Sequence, residues 1–226
     1  MKNKKKFREL HGKEYVELYK NKTPLRLERL VKYMMLDSIF SVADFACGNG
    51  ILMEVISPKV KSYIGIDNSE LFIKAANEKK EELFVKNADF VCSDINEFCM
   101  RHKKTFDVGF AMDFSEHVHD KEWVKILGSI RRSLKPNGKF FLHTPNAEFF
   151  IEKMKSKNFI FKQFPEHIAV RTPEHNAYFL REAGYNEVQV RLIPHYNILR
   201  IVHPLSYIPI LGKYFKARIF IEATTL

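Results

Sequence analysis

The sequence predicts an α/β fold in which a parallel sheet carries helices on both faces. Strand-like and helix-like runs alternate through residues 40–143 with a repeat of roughly 20–30 residues, which is typical of strand–helix–strand units. The chain has 226 residues, 46% of them hydrophobic, which is enough for one large domain or one domain with a small appendage. This composition excludes a disordered chain.

Each strand is predicted from a short apolar run that ends in small or turn-forming residues. These runs are residues 40–45, 60–66, 89–92, 106–112, 139–143, 187–193 and 218–223. Helices are predicted from apolar residues at helical spacing over residues 49–57, 69–84, 121–134 and 173–183, and also through most of the first 36 residues. Ser69 can cap a helix, and Pro136-Asn137-Gly138 predicts a turn before the fifth strand.

Basic residues are concentrated at the two ends of the chain. The formal net charge is +10, of which residues 1–40 carry +6 (11 basic, 5 acidic) and residues 151–226 carry +5 (11 basic, 6 acidic). Residues 41–150 are nearly neutral. Such flanks can bind nucleic acid, an anionic membrane or a phosphorylated substrate, or can simply keep the protein in solution.

Cysteine content and hydropathy predict a cytoplasmic protein. The three cysteines are too few for a disulfide scaffold, so reduced thiols are expected. Apolar stretches are interrupted well before the roughly 18 residues that a membrane-spanning helix requires. The basic segment from Lys2 to Arg8 is followed by no apolar region of the kind that a secretory signal contains.

The most informative stretch runs from Val42 to Gly50, where a buried strand leads into small residues and then a helix. Small residues let the backbone approach a ligand closely. Asp67 ends the next strand, 17 residues after Gly50, and a carboxylate there can accept hydrogen bonds from ribose hydroxyls. Asp94 follows the third strand in the same way. These positions predict a nucleotide-like ligand at the ends of the strands.

Two nucleotide-binding patterns can be compared with this stretch. A dinucleotide fingerprint requires a third glycine where this chain has Met53. Asp44-x-Ala46-x-Gly48-x-Gly50 instead resembles the first motif of class I S-adenosylmethionine-dependent methyltransferases, with Ala46 in place of the usual glycine. The resemblance covers residues 40–146 and continues through the remaining elements in order, which are Asp67, Asp94, Phe106-Asp107-Val108 and Leu134-Lys135-Pro136-Asn137-Gly138-Lys139.

The resemblance implies a Rossmann-like seven-stranded sheet of order 3-2-1-4-5-7-6, with the last strand antiparallel and a helical cap. Residues 1–36 are expected to form the cap, and residues 37–226 the methyltransferase domain, with cap insertions around 145–172 and 194–216. S-adenosylmethionine is the implied cofactor. The implied cofactor-binding residues are Asp44, Ala46, Cys47, Gly48, Asn49, Gly50, Asp67, Asn68, Asp94, Ile95 and Met112.

An acceptor site is expected after the fourth and fifth strands. Glu116-His117-Val118 resembles a signature of small-molecule O- and C-methyltransferases. The Asn-Pro-Pro-Tyr and Pro-Cys motifs of base methylation are absent, so nucleic acid is not the expected acceptor. A histidine is a suitable proton acceptor for a hydroxyl group, and the candidates are His117, His143 and His167. His117 could equally be a histidine that bonds to backbone at a helix start.

A metal hypothesis also follows from this region. Asp113-x-x-Glu116-His117 resembles the Glu-x-x-Glu-His run of ubiquinone-pathway O-methyltransferases, which suggests Mg²⁺. Three residues on one short loop do not define a metal site, and the predicted site therefore contains no metal ligand.

The predicted function is transfer of a methyl group from S-adenosylmethionine to a small molecule, with a hydroxyl oxygen as the favoured target. A sugar, an anionic compound or a quinone-like precursor fits the charge. Two alternatives stay open, an RNA methyltransferase and a catalytically inactive cofactor-binding partner subunit. The apolar segment 194–216 is expected to form a pocket wall or core, or else a peripheral membrane or dimer contact, and the oligomeric state is left open.

Overall fold

A computed structural model describes residues 24–156, 167–194 and 204–226. Seven strands form one sheet of order β3-β2-β1-β4-β5-β7-β6, which confirms the predicted topology. The strands are β1 (Ser41–Phe45), β2 (Ser62–Asp67), β3 (Ala88–Cys92), β4 (Phe106–Met112), β5 (Leu134–Pro145), β6 (Val188–Ile193) and β7 (Arg218–Thr224). The α-helices are α1 (Leu25–Val31), α2 (Ile51–Ile56), α3 (Glu70–Glu82), α4 (Ile95–Arg101), α5 (Asp120–Ser133), α6 (Phe150–Ser156) and α7 (Pro173–Glu182).

The described residues divide into two compact units. The first contains the residues up to Phe110 together with Arg132–Gly138. In it β1 pairs in parallel with β2 and β4, and β2 pairs in parallel with β3. Asp107, which belongs to the family-like pattern, has a structural role because its carboxylate accepts hydrogen bonds from Ser41 N at 2.8 Å and from Lys135 Nζ.

The second unit contains Ala111–Arg131 and the described residues from Lys139 onward. Here β7 runs antiparallel to both β5 and β6. Its core is formed by large apolar side chains of α5, β5 and β7 that are fully or almost fully buried, which are Trp123, Leu127, Ile130, Phe140, Phe141, Leu142, Ile219, Phe220 and Ile221. Near-continuous apolar runs are expected in strands that are covered on both faces.

Several element boundaries differ from the sequence prediction. β5 begins at Leu134 and includes Pro136-Asn137-Gly138, where a turn was predicted. Asn137 has a φ of 60°, so the backbone makes its predicted tight bend inside the strand. α1 buries Leu27 and Leu30, whereas residues 1–23 of the predicted cap lie outside the described residues.

The predicted domain boundaries and cap insertions stay predictions. Residues 157–166 of the first insertion and 195–203 of the second lie outside the described residues. Within residues 24–156, 167–194 and 204–226, no helix is both long and apolar enough to cross a membrane.

Candidate active site

The loop that joins β1 to α2, residues 46–50, turns sharply through three left-handed backbone positions. Ala46, Gly48 and Gly50 have φ values of 60°, 54° and 74°. An added Cβ at Gly50 would lie 2.8 Å from the ring of Phe90, so the loop packs tightly there. An added Cβ at Gly48 would meet no described atom within 4 Å. The backbone at Gly48 therefore borders open space, as a loop that lies against a cofactor requires.

Asp67 is fixed beside this loop by backbone hydrogen bonds. Its Oδ2 accepts a hydrogen bond from Gly48 N at 3.0 Å, and its Oδ1 accepts one from Ser69 N at 2.9 Å. Burial raises the pKa of the Asp67 carboxyl, and these backbone bonds oppose the rise. The amide of Asn68 also bonds to this carboxylate. A carboxylate has about four acceptor positions, so the group can still accept a hydrogen bond from a ribose hydroxyl.

Asp44 lies at the end of β1 and is almost fully buried. The hydroxyl of Tyr63 donates to Asp44 Oδ2 at 2.5 Å. Burial raises the pKa of Asp44 to about 7, the Tyr63 bond lowers it, and the charge of Asp67 raises it. Tyr63 was not among the predicted site residues, because a tyrosine within an apolar strand gives no signal that its hydroxyl meets a carboxylate.

The other residues predicted to bind the cofactor differ in their surroundings. Asp94 is exposed and caps α4, since its side chain accepts hydrogen bonds from Asn96 N at 2.8 Å and Glu97 N at 3.2 Å. In the same unit, Cys47, Asn49 and Ile95 are buried and Asn68 is exposed; Met112, in the second unit, is half-buried. The cofactor-binding roles of these residues stay predictions.

In the second unit the segment after β4, the end of β5, the start of β7 and His167 bring several polar side chains together. We call this group the polar cluster; it consists of Asp113, Glu116, His117, His143, Thr144, His167 and Arg218. His143 is fully buried, and its Nδ1 lies 2.9 Å from Asp113 Oδ1. Arg218 donates to the same oxygen at 3.2 Å. Asp113 has a φ of 55°, a strained position for a residue other than glycine.

Glu116 is almost fully buried in the polar cluster. Its Oε2 accepts a hydrogen bond from Thr144 Oγ1 at 3.0 Å, and that hydroxyl accepts one from Ser115 Oγ at 2.9 Å. Burial, and then the charge of Asp113, raises the pKa of Glu116 to about 8. The carboxyl group therefore retains its proton through much of the neutral range.

His117 and His167 lie next to each other, with ring centroids 5.1 Å apart in an edge-to-face arrangement. His117 is half-buried. Burial, together with the charge of His117, lowers the pKa of His167 to about 4. His167 is therefore neutral at neutral pH and is a weak proton acceptor.

Of the three residues that suggested Mg²⁺, the structure groups Glu116 and His117 with His167 and leaves Asp113 out of that group. Metal-ligating atoms of Glu116, His117 and His167 all lie within 4.8 Å of one another. Asp113 instead contacts His143 and Arg218. Mg²⁺ prefers oxygen ligands in octahedral geometry, and two imidazoles with one carboxyl do not provide them. This donor set therefore does not fit Mg²⁺.

Arg171 is a buried residue that the sequence did not identify. Its guanidinium donates to the backbone oxygens of Ser115 and Val118, both at 2.6 Å. Its Nε donates to Asp120 Oδ1 at 3.0 Å. The two carbonyl groups flank the 3₁₀ turn Ser115–His117, so Arg171 fixes the turn that carries Glu116 and His117. Its partners are more than 50 residues away in sequence, and no local pattern indicates them.

The sheet order β3-β2-β1-β4-β5-β7-β6, with β7 antiparallel, defines a Rossmann-like fold. The profile of the family described as "Methyltransferase domain" matches residues 36–185. The chain therefore belongs to the class I S-adenosylmethionine-dependent methyltransferases, and its cofactor is S-adenosylmethionine.

Curated relatives carry a more specific name. The chain is 30% identical over 171 residues to a ubiquinone biosynthesis O-methyltransferase of Thiobacillus denitrificans, covering 73% of this chain and 72% of that protein. It is 28% identical over 173 residues to the protein of the same name from Aromatoleum aromaticum, covering 73% and 71%.

Solved structures are similar in fold. A SAM-dependent methyltransferase from Archaeoglobus fulgidus has a TM-score of 0.69 at 19% identity, covering 93% of this chain and 94% of that one. A Haemonchus contortus N-methyltransferase in complex with phosphomonomethylethanolamine and S-adenosylhomocysteine has a TM-score of 0.61 at 15% identity, covering 89% and 52%.

Proposed function

We propose that this protein transfers a methyl group from S-adenosylmethionine to a hydroxyl oxygen of a small-molecule acceptor. The observation that carries the proposal is the polar cluster, in which a half-buried histidine stands beside a buried carboxyl that holds its proton. The O-methyltransferase names of the relatives support the choice of oxygen.

Residues of the first unit would bind the cofactor. Asp67 would accept hydrogen bonds from the ribose hydroxyls, and the backbone at Gly48 would lie along the cofactor because the space there is open. Asp44, held by Tyr63, would provide negative charge close to the loop. When bound, the cofactor supplies an electrophilic methyl group on a sulfonium whose leaving group is a neutral thioether.

Residues of the second unit would bind the acceptor and take its proton. His117 is the proposed proton acceptor, because a hydroxyl is a weak nucleophile at neutral pH and His117 is half-buried. His143 is fully buried against Asp113, so we assign it a positioning role. His167 is a poor base at neutral pH, because its pKa is about 4. The protonated carboxyl of Glu116 can donate a hydrogen bond to an acceptor oxygen.

The experiment is methyl transfer from labelled S-adenosylmethionine to a panel of sugars, phenols and hydroxy acids, with total RNA as a further acceptor. His117→Gln should lower kcat by about 100-fold or more on any acceptor that is methylated, while the Kd for S-adenosylmethionine stays unchanged. His175→Gln changes an exposed histidine on α7 and should behave as the wild type.

Other outcomes of this methyl-transfer assay would favour one of the alternative functions or exclude His117 as the base. Labelling of RNA alone would replace the proposal with the RNA methyltransferase. Cofactor binding without turnover on any acceptor would favour the inactive partner subunit. An unchanged kcat in His117→Gln would show that His117 is not the base.

A further inference from the structure

The loop of residues 205–211 lies between Pro204 and the 3₁₀ turn Gly212–Phe215. It presents large apolar side chains to solvent. Tyr207 is 81% exposed and Ile210 is 89% exposed. Leu205, Ile208 and Leu211 are also exposed. Five large apolar side chains within seven residues are costly to leave in water, and such clusters mark interaction surfaces.

The loop is held in shape by its own backbone. Gly212 N donates to the oxygen of Ile208 at 2.8 Å, and Ile208 N donates to the oxygen of Leu205 at 3.2 Å. An added Cβ at Gly212 would lie 2.3 Å from the oxygen of Ser206, so the two ends of the loop are in close contact. Ile210 has a φ of 66°, which is unusual for a β-branched residue. These contacts between its two ends hold the 205–211 loop in a closed shape, with its apolar side chains exposed at the tip.

Two lysines, Lys213 and Lys216, follow this tip closely in the sequence. The ring of Tyr214 lies 4.4 Å from the Nζ of Lys153 and 5.2 Å from that of Lys213. Lys213 also pairs with Glu148 at 3.2 Å, which offsets part of this charge.

We propose that the 205–211 loop is a membrane-docking element that inserts its apolar tip into an anionic lipid surface. Apolar and aromatic side chains enter the headgroup region, while the lysines remain at the level of the lipid phosphates. A second copy of the chain fits less well. In a symmetric dimer the same patch meets itself, so Lys213 and Lys216 would face the same lysines of the other copy.

The test is co-sedimentation of the full chain with phosphatidylcholine vesicles that contain 30 mol% phosphatidylglycerol, compared with pure phosphatidylcholine vesicles. The wild type should bind the anionic vesicles, and high salt should weaken the binding. The double variant Tyr207→Ser/Ile210→Ser should reduce the partition coefficient about tenfold or more. Both side chains are exposed, so the fold should tolerate the change.

Phe84→Ser is the matched control, because Phe84 is 85% exposed and belongs to the first unit. This variant should bind vesicles as the wild type does. Calorimetric titration with S-adenosylmethionine checks that each variant is folded, and a failure of the proposed acceptor chemistry would leave the vesicle result unaffected.

Three results would overturn the proposal. One is a wild type that does not sediment with anionic vesicles. Another is binding that survives the double variant or is lost equally in Phe84→Ser. The third is a concentration-dependent dimer in analytical ultracentrifugation that the double variant abolishes, since a second copy would then cover the loop.

Discussion

The loop of residues 46–50, called the β1 loop below, and the polar cluster differ in how far apart in sequence their contacting residues lie. The β1 loop is local in sequence, because residues 46–50 supply its backbone and Asp67, 17 residues further on, fixes it through the amide of Gly48. The polar cluster is assembled from distant segments. Asp113 contacts Arg218, and the turn Ser115–His117 is held by Arg171, more than 50 residues away.

Because of this difference, we expect the two sites to respond differently to sequence change. The β1 loop is fixed by its backbone geometry. It should therefore tolerate only substitutions by residues that can adopt the left-handed φ of Ala46, Gly48 and Gly50. A cluster built from distant side chains depends on buried polar contacts, and the loss of one partner leaves another group unsatisfied. Variants in the two sites therefore test separately the local backbone geometry of the β1 loop and the long-range side-chain contacts of the polar cluster.

The largest expected effect is the loss of Arg171. Arg171→Met leaves the buried carbonyl groups of Ser115 and Val118 without their donor, and each unsatisfied group costs about 1–3 kcal/mol. The ion pair with Asp120 adds little, because that carboxylate is 64% exposed. We expect the free energy of unfolding to fall by about 2–4 kcal/mol in urea titrations.

Arg181→Met is the control for this change, since Arg181 is an exposed arginine of α7. It should leave the stability within about 0.5 kcal/mol of the wild type. Equal stability of the two variants would show that Arg171 does not hold the turn.

A second large effect is expected at Asp67. Asp67→Ala removes the carboxylate proposed for the ribose and also the partner of Gly48 N. The affinity for S-adenosylmethionine should fall about 100-fold in calorimetric titration, because hydrogen bonds to a charged group are worth about 1.5–3 kcal/mol. Asp89→Ala, at an exposed aspartate of β3, should bind as the wild type does, and unchanged affinity in Asp67→Ala would exclude the proposed ribose contact.

The sequence predicted the fold and the sharp turn after β1 for the same reason. Strand spacing, small residues at 46–50 and the position of Asp67 are short-range patterns, and these depend on backbone rules that hold in many sequences. Arg171 and Tyr63 were missed because their roles arise only when the folded chain brings them to partners on other elements. The Mg²⁺ hypothesis rested on the spacing of Asp113, Glu116 and His117 in the sequence. In the fold the carboxylate of Asp113 bonds to Arg218 instead, which the spacing does not indicate.

A moderate effect is expected in the pH dependence of stability. The pKa of Glu116 is about 8 in the folded protein and near 4.5 when unfolded, so the folded state binds the proton more tightly. Its contribution to stability is complete at low pH and is lost as the pH rises from about 4.5 to 8. His167, with a folded pKa of about 4, acts in the opposite direction below its usual value of 6.5.

Between pH 6.5 and 8, His167 is largely neutral in both the folded and the unfolded protein. The change in stability that comes from Glu116 is therefore measured there with little opposing change from His167. The contribution of Glu116 should fall in this range by up to about 1.4 kcal/mol per pH unit, so the wild type should lose more stability than Glu116→Gln. Asp44, with a pKa of about 7, adds a smaller loss of the same sign in both proteins. Parallel stability curves for the two proteins would show that Glu116 is ionised when folded.

The smallest effect is expected at Ala46, the one residue of the β1 loop that combines a side chain with a left-handed φ of 60°. Ala46→Gly relieves a strain of about 1–2 kcal/mol, but glycine also increases the entropy of the unfolded chain by roughly 0.5–1 kcal/mol. The net gain in stability should be about 0.5 kcal/mol, measured as a higher urea midpoint at an unchanged slope. Ala43→Gly, in the middle of β1, has no such strain to relieve and should lower the midpoint, so a loss of stability in both variants would show that Ala46 is not strained.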